Sequence, residues 1–287
     1  MIVDGKNIVR VFPRKTSYTP EDDCAFVGLP TFFVPEHDEV HISCVFTWDK
    51  PLCEELAFQW EGFTNKPVKL GGPAYNSDSY DFVQGLYVKK EVIFTSRGCN
   101  NNCPWCCVPK REGRLRELPV LNGNIIQDNN FLQCSKQHKE KVFEMLKGQK
   151  GICFKGGLEA DLVDVHFIEG ISAIGTHKIK ELWLACDTDA HLNIFKKACE
   201  KLNKAGFSRE KVHCYVLSYG KDREKDESRA LQVYEAGAMP FVQLYRDFSE
   251  SKTEYCTDWN AWARMWQRPA AIKAHVEKGT SYKDFRV

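Results

Sequence analysis

Three cysteines within eight residues constrain this 287-residue chain more than any other feature of its sequence. Cys99, Cys103 and Cys106 follow the apolar, strand-like run 91–95 with the spacing C-x3-C-x2-C. Three thiolates on one short loop can reach a single metal centre, and an iron–sulfur cubane takes four ligands, so such a loop can leave one iron open. Structural zinc, with Cys107 as a fourth ligand, is the alternative. Zinc sites usually draw on two separated ligand pairs, and no second C-x2-C pair occurs here.

The cysteine loop resembles that of the radical S-adenosylmethionine (SAM) superfamily, which carries an aromatic residue before the third cysteine, as Trp105 stands here. The resemblance implies that the three cysteines hold a [4Fe–4S] cluster whose open iron binds the amino and carboxylate groups of SAM. It also implies reductive cleavage of SAM to a 5′-deoxyadenosyl radical that abstracts hydrogen from a substrate. The electron would come from a reductant such as flavodoxin or ferredoxin.

Composition and cysteine usage favour a protein of the reducing cytoplasm. Most of the thirteen cysteines stand singly within apolar runs, as Cys44, Cys153 and Cys214 do, which is typical of reduced core residues. No apolar run reaches the roughly 18 residues of a membrane span, and the N-terminus lacks a signal-peptide core. We therefore expect a cytoplasmic protein without a membrane partner. The net charge of +1 provides no overall positive field that would attract nucleic acid, but it does not exclude a local basic groove.

Alternating strand and helix patterns in the C-terminal part predict a parallel α/β sheet. The predicted strands are 91–96, 124–127, 151–155, 180–186, 211–217 and 240–245. The predicted helices are 135–149, 161–175, 189–206, 223–237 and 258–273. Six such units are too few for a closed eight-stranded barrel but fit the partial (β/α)6 TIM-type barrel that the family resemblance implies. We expect this domain to cover 89–287.

The N-terminal residues 1–88 are expected to form a small Rossmann-like α/β domain, separated by a polar connector at 73–81. A strand at 41–47, a helix at 51–63 and a strand at 68–72 carry this prediction. The layout resembles the domain that precedes the barrel in cobalamin-dependent radical SAM proteins and methylthiotransferases. The cobalamin signature D-x-H-x-x-G is absent, so no cobalamin is expected. The cysteines of this domain are predicted to be core residues rather than ligands of a second cluster.

Polar or glycine-rich residues follow each predicted strand of the larger domain. In α/β barrels, functional residues gather at the C-terminal ends of the strands, so these loops predict a ligand site at one rim. After the cysteine loop they are Asp128-Asn129-Asn130, Gly156-Gly157-Leu158-Glu159, Asp187-Thr188-Asp189, Ser218-Tyr219-Gly220 and Tyr245-Arg246.

The family resemblance assigns SAM contacts to several of these residues. Trp105 would pack against adenine, and Asp187 would bind the ribose hydroxyls. Asp128, with Asn129 second, would accept from the SAM ammonium, because they stand where the family has a Gly-Gly-Glu element. The literal Gly156-Gly157, with Glu159, lies one strand later, and the two glycines are further cofactor-binding candidates. For both aspartates, capping a following helix is the structural alternative.

The sequence offers several candidates for the remaining contacts with cofactor and substrate. Arg97 and Lys155 are candidates for the SAM carboxylate. Tyr219, Tyr245 and Arg111 are candidates for substrate binding, the last within the basic segment 109–117. The substrate is either a nucleobase or nucleotide, which this segment favours, or a small metabolite or peptide. A zinc-stabilised binding protein without catalysis is the alternative from another functional class.

Overall fold

The computed structural model describes residues 2–75, 83–247 and 253–285. The chain is a mixed α/β protein with parallel sheets, as the sequence predicts. It falls into two compact units. The first spans Met1–Val92, Lys110–Glu112 and Asp247–Thr253, and the second spans Ile93–Pro109, Gly113–Arg246 and Glu254–Val287. Of the predicted connector, Pro73–Tyr75 form a 3-10 turn and 76–81 lie outside the described residues.

The first unit is built on a mainly parallel sheet. Its strands, as described, are β1 (Ile2–Val3), β2 (Lys6–Phe12), β3 (Ala25–Val27), β4 (Glu39–Ser43) and β5 (Val68–Gly71). β2 pairs in parallel with β3 and β4, β4 pairs in parallel with β5, and β1 pairs antiparallel with β2. The strand predicted at 41–47 is shifted, because β4 ends at Ser43 where its neighbour β5 turns away at Gly72. A Cβ at Gly72 would lie 2.5 Å from the Cys44 carbonyl oxygen, and its φ is +108°, so the turn requires glycine.

Helix α1 (Lys50–Phe63) covers this sheet. Its buried positions Cys53, Leu56 and Trp60 recur at helical spacing and pack on sheet residues such as Val40 and Ile42. Cys44 and Cys53 are both fully buried in this core. They are core thiols, as their apolar sequence surroundings predict.

The second unit contains a six-stranded sheet whose spatial order follows the sequence. Its strands are β6 (Val92–Ile93), β9 (Ile125–Ile126), β10 (Ile152–Leu158), β11 (Ile179–Ala185), β12 (Val212–Ser218) and β13 (Met239–Leu244). The pairs from β9 to β13 are all parallel. Two short strands, β7 (Ser96–Arg97) and β8 (Arg116–Glu117), pair antiparallel beside it. Carboxyl ends of parallel neighbours share one edge, so the loops that follow these strands meet there.

Helices alternate with these strands. They are α2 (Val108–Glu112), α3 (Lys136–Lys147), α4 (Val165–Ile174), α5 (Leu192–Lys204), α6 (Arg223–Glu235), α7 (Thr257–Met265) and α8 (Pro269–Lys278). The helix predicted from 161 begins at Val165, because the Asp164 side chain caps it by accepting from the Phe167 N–H at 2.8 Å. None of the helices in the described ranges is long and apolar enough to cross a membrane.

The helix predicted at 258–273 is wrong as a single element. It is broken into α7 and α8 because Pro269 opens the second helix. Proline lacks an N–H and disfavours the α conformation of the preceding residue, and Arg268 is extended, with φ −117° and ψ 109°. Trp262 and Trp266 are fully buried in the core of the second unit, so these tryptophans pack within the fold.

The first unit provides a pH-dependent test of its electrostatics. Glu39 accepts hydrogen bonds from Lys69 Nζ at 2.6 Å and His41 Nε2 at 2.9 Å, and it pairs with Lys6. Its hydrogen bonds, first from Lys6 and then from Lys69 and His41, hold the pKa of this carboxyl well below its usual range. A lowered folded pKa adds stability above the unfolded pKa, and that stability is lost as pH falls through the folded value.

We therefore expect Glu39→Gln to unfold at lower urea concentration than the wild type at pH 7. The gap should narrow as the pH drops below about 4.3, the usual glutamate value, because the carboxyl of the unfolded wild-type chain then takes up a proton, which stabilises the unfolded state. Urea titrations at pH 7 and pH 3 measure both gaps. Glu55→Gln, at an exposed position of α1, is the matched control. A Glu39→Gln gap that is the same at both pH values would contradict this account.

Candidate metal centre

The cysteine loop, residues 98–107, is held at its base by β7 and β8. These strands pair Ser96 with Glu117 and Arg97 with Arg116. Beyond them, the Cys99 N–H donates to the Gly113 carbonyl at 3.2 Å. At Gly98, φ is +81° and a Cβ would lie 2.2 Å from the Arg114 carbonyl oxygen, so only glycine permits this approach. The backbone at the first cysteine is therefore fixed from both sides.

Asp128, directly after β9, supports the entry to this loop. Its Oδ1 accepts from the Thr95 N–H at 2.6 Å, and its Oδ2 accepts from Thr95 Oγ1 at 2.5 Å and Ser96 Oγ at 2.9 Å. The side chain is buried, and burial raises its pKa, an effect that the hydrogen bonds from Thr95 and Ser96 oppose. Both oxygens are engaged within the protein. These surroundings argue against the expected role of Asp128 as acceptor for the SAM ammonium.

The Gly156-Gly157 pair does not follow its strand as expected. Both glycines lie inside β10, where the pairing with β11 is irregular between Phe154 and Leu158. A Cβ at Gly156 would lie 1.7 Å from the Asp128 carbonyl oxygen. Gly156 therefore allows β10 to approach the chain just after β9. This position is glycine because the neighbouring backbone leaves no room for a side chain.

Side-chain amides brace the cysteine loop from the segment after β9. Asn129 Oδ1 accepts from the Gly98 N–H at 2.9 Å. Gln133 Oε1 accepts from the Asn100 N–H at 2.8 Å. The sequence prediction included Asn129 but missed Gln133, because no local pattern marks a side chain whose partner lies 33 residues away. Both amides act here as backbone clamps.

Glu159 and Asn130 bring a carboxylate and an amide to the first cysteine. Asn130 Nδ2 donates to Glu159 Oε2 at 2.8 Å and to Cys99 Sγ at 3.8 Å. Gln133 Nε2 also donates to Glu159 Oε2, at 3.0 Å. The sequence offers Glu159 together with Gly156-Gly157 as the literal match to the family's Gly-Gly-Glu element, and it favours Asp128 for the ammonium. The structure places it against the cysteine loop, although the glycines themselves serve packing.

Trp105 and Asp187, predicted separately, contact each other. Trp105 Nε1 donates to Asp187 Oδ2 at 3.2 Å, across 82 residues of sequence. Asp187 follows β11, and burial raises the pKa of its carboxyl, while Trp105, His191 and Arg229 act in the opposite direction. The bond fixes the indole of the cysteine loop at the carboxyl end of the sheet. This pair links the cysteine loop to the end of β11.

Burial and acidic neighbours both act on the Cys103 thiol. Cys99, Cys103 and Cys106 are half-buried and reduced, and the Cys106 N–H donates to the Cys103 carbonyl at 3.0 Å. Burial raises the pKa of the Cys103 thiol, and the neighbouring Cys106, Cys99, Asp187 and Glu159 raise it further. Acidic groups that oppose one another's ionisation gain from a bound cation, which favours the thiolate form.

The donor set fits an iron–sulfur cluster in its chemistry. In the described part of the chain, no group of three or more Cys, His, Asp or Glu side chains has the spacing to hold one metal ion. A [4Fe–4S] cluster takes each thiolate on a different iron, so its cysteines need not surround a single ion. Thiolates are the ligands such clusters take, and hydrogen bonds to their sulfurs tune them. Asn101 N–H, at 3.5 Å from Cys99 Sγ, and Asn130 supply two such bonds.

The proposed substrate contacts have different surroundings. Tyr219 and Tyr245 lie side by side after β12 and β13, with ring centroids 5.1 Å apart. Burial raises the pKa of Tyr219, as do Tyr245 and Asp187, so this pair lies near the strand-end carboxylate. Arg111, in contrast, pairs with Glu112 at 3.0 Å.

The two cations considered for the SAM carboxylate are both engaged in local contacts. Lys155 pairs with Glu181 and lies 4.7 Å above the Trp183 ring, in the middle of the sheet. The Arg97 guanidinium lies 4.8 Å from the Phe94 ring, beside the cysteine loop. By position, Arg97 is the better candidate of the two.

Substitution of Asp128 separates a structural role from a ligand role. We expect Asp128→Ala to lower the unfolding free energy by about 2–4 kcal/mol, because it leaves the Thr95 N–H and two hydroxyls buried without their acceptor. Asp128→Asn should cost less than about 1 kcal/mol, since an amide keeps one acceptor and hydroxyls can also accept. Urea titration measures both. An Asp128→Ala variant as stable as the wild type would contradict the structural role, and an Asp128→Asn variant that folds but loses SAM binding would restore the ammonium role.

Comparison of the chain with models of known protein families and with curated proteins finds no match. Its function is therefore inferred from the residues of the site. They are the three cysteines, the Trp105–Asp187 pair, and Glu159 with its two amide partners.

Proposed function

We propose that this chain is a radical SAM enzyme. One observation carries the proposal. The three cysteines stand on one braced loop with two carboxylates, Asp187 and Glu159, close enough to influence the Cys103 thiol. When bound at Cys99, Cys103 and Cys106, a [4Fe–4S] cluster would supply the electron for reductive cleavage of SAM. A flavodoxin or ferredoxin is the class of reductant that fits such a one-electron step.

The sheet supports a partial barrel of the TIM type. Its six strands follow one another in sequence order, and the pairs from β9 to β13 are parallel. In such folds the reactive groups lie at the carboxyl ends of the strands. The Trp105–Asp187 contact and Glu159 occur after β11 and β10 respectively. A SAM site at that edge of the sheet needs polar groups at the ends of neighbouring strands, and these residues provide them.

Glu159 replaces Asp128 as the proposed acceptor for the SAM ammonium. Asn130 and Gln133 both donate to its Oε2, and among the described residues no hydrogen bond to its Oε1 is found. That oxygen is therefore suited to accept from an ammonium group. The fixed amides hold the carboxylate in place, which reduces the entropy lost on binding.

Asp187 and Trp105 are proposed to bind the nucleoside part of SAM. Asp187 Oδ2 accepts from the indole, and its other oxygen is suited to a ribose hydroxyl. Trp105, anchored by that bond, presents its ring to adenine. Each residue thus positions the other.

The substrate is proposed to meet the Tyr219–Tyr245 pair. Tyr219 is 44% exposed, so a ring face is open to a ligand. Two adjacent phenol rings suit a nucleobase by stacking, and they equally suit the side chains of a peptide or a small metabolite. Binding that weakens steeply with added salt would favour a polynucleotide, and binding insensitive to salt would favour the smaller substrates.

The first test is cluster assembly and SAM cleavage. The protein is reconstituted anaerobically with iron and sulfide, reduced with dithionite and given SAM, and 5′-deoxyadenosine is measured. We expect a brown protein that forms this product, and Cys103→Ala should abolish both cluster and product. Cys107→Ala is the matched control and should retain both.

A colourless protein that holds zinc under these conditions would contradict the enzyme proposal. Loss of that zinc in Cys107→Ala would then identify the four-cysteine site of a metal-stabilised binding protein. A brown protein without product calls for the same assay with candidate substrates added.

The second test concerns Glu159. We expect Glu159→Gln to weaken SAM binding about 10- to 100-fold, because a hydrogen bond to a charged group contributes about 1.5–3 kcal/mol. Calorimetric titration of the anaerobic, cluster-loaded protein measures it. Asp161→Asn, an exposed carboxyl two residues away, is the control and should bind as the wild type does. Unchanged affinity in Glu159→Gln would remove this residue from the site.

A further inference from the structure

We infer that Asn130 is a positioning residue that couples SAM binding at Glu159 to the reduction potential of the cluster at Cys99. The inference rests on the proposed function. It assigns to one amide group a link between the ligand-binding carboxylate and the first cysteine sulfur.

The two contacts of Asn130 come from one nitrogen. Nδ2 has two hydrogens, and it lies 2.8 Å from Glu159 Oε2 and 3.8 Å from Cys99 Sγ. Both partners are acceptors, so the amide must present its NH2 to them. The side chain is only 5% exposed, and its Oδ1 is buried without a hydrogen-bond partner in the part of the chain that the structure describes. The reversed orientation would turn this oxygen toward a carboxylate and a thiolate, which electrostatic repulsion disfavours.

A donor at a cysteine sulfur stabilises the more negative, reduced state of a cluster. Hydrogen bonds to the sulfurs are therefore a means of raising the reduction potential. The shorter bond of Asn130 is to Glu159, and its contact with the Cys99 sulfur is long. An ammonium group at Glu159 would neutralise the carboxylate and weaken its hold on the amide. The amide would then donate more strongly to Cys99.

The coupling must be reciprocal. If SAM raises the potential through Asn130, the reduced cluster binds SAM more tightly than the oxidised cluster by the same free energy. Electron delivery and SAM binding would thus favour each other. Such a link favours reduction of the cluster when SAM is bound.

Asn130→Leu tests the inference, since leucine has a similar volume and no donor. The midpoint potential of the cluster is measured by anaerobic redox titration with electron paramagnetic resonance, with and without SAM. We expect the variant to have a more negative potential than the wild type, and SAM to shift that potential less. Gln133→Met is the comparison variant. It removes the other amide donor to Glu159 and the clamp on the Asn100 N–H, but it leaves the contact of Asn130 with Cys99 Sγ in place, so it should change the SAM-free potential less than Asn130→Leu does.

The outcomes separate the inference from the proposed function. Wild-type protein that assembles no cluster contradicts both. A loaded Asn130→Leu variant with the wild-type potential and the wild-type SAM shift contradicts the coupling alone. Equal shifts in Asn130→Leu and Gln133→Met would also contradict it, because the effect would then come from Glu159 or from the clamp on the loop, which Gln133 also supports. If Asn130→Leu loads no cluster, Asn130→Ser provides the same comparison, as its shorter side chain cannot bridge the two acceptors.

Discussion

The buried carboxylate of Asp128 is the contact on which the geometry of the cysteine loop depends. It collects the Thr95 N–H and the hydroxyls of Thr95 and Ser96, immediately before the chain enters the loop. A buried carboxylate is costly unless its hydrogen bonds are satisfied, so this group has one favourable arrangement. That arrangement fixes where β7 begins. The adjacent Gly156 lets β10 approach the Asp128 backbone. The start of β7, the end of β9 and β10 therefore meet at this aspartate.

Rigid support of this kind matters because it keeps the acidic neighbours of the Cys103 thiol in place. Cys103 is affected by two neighbouring thiols and two carboxyls, and a flexible loop would separate these groups. The clamps from Asn129 and Gln133, together with the Trp105–Asp187 bond, prevent such separation. Acidic groups that the fold holds close together in this way gain from a bound cation, which favours their ionised forms. This is a common property of metal sites.

The sequence predicts the α/β class and the positions of most strands, because buried parallel strands and amphipathic helices leave strong local patterns. The cysteine triplet is also a local pattern, because its three residues lie within eight positions of the sequence. The roles of Asp128 and Gln133 could not be predicted, because their partners lie 33 residues away. Glu159 could be singled out only beside Gly156-Gly157, and its amide partners Asn130 and Gln133 could not. Those contacts depend on which loops the sheet order brings together. The break at Pro269 did have a local signal, because a proline inside a helical pattern ends the helix near the preceding residue.

Three acidic residues follow neighbouring strands of one sheet, and their surroundings give them different capacities. Asp128 is fully enclosed and engages both oxygens within the protein, so a ligand could reach it only by displacing the loop. Asp187 and Glu159 are only partly buried, and each has one oxygen held by a fixed donor. A carboxylate held at one oxygen keeps its position and can still accept at the other. The surroundings therefore suit Asp187 and Glu159, rather than Asp128, to a cationic or hydroxyl-bearing ligand, while Asp128 holds the segment that leads into the cysteine loop.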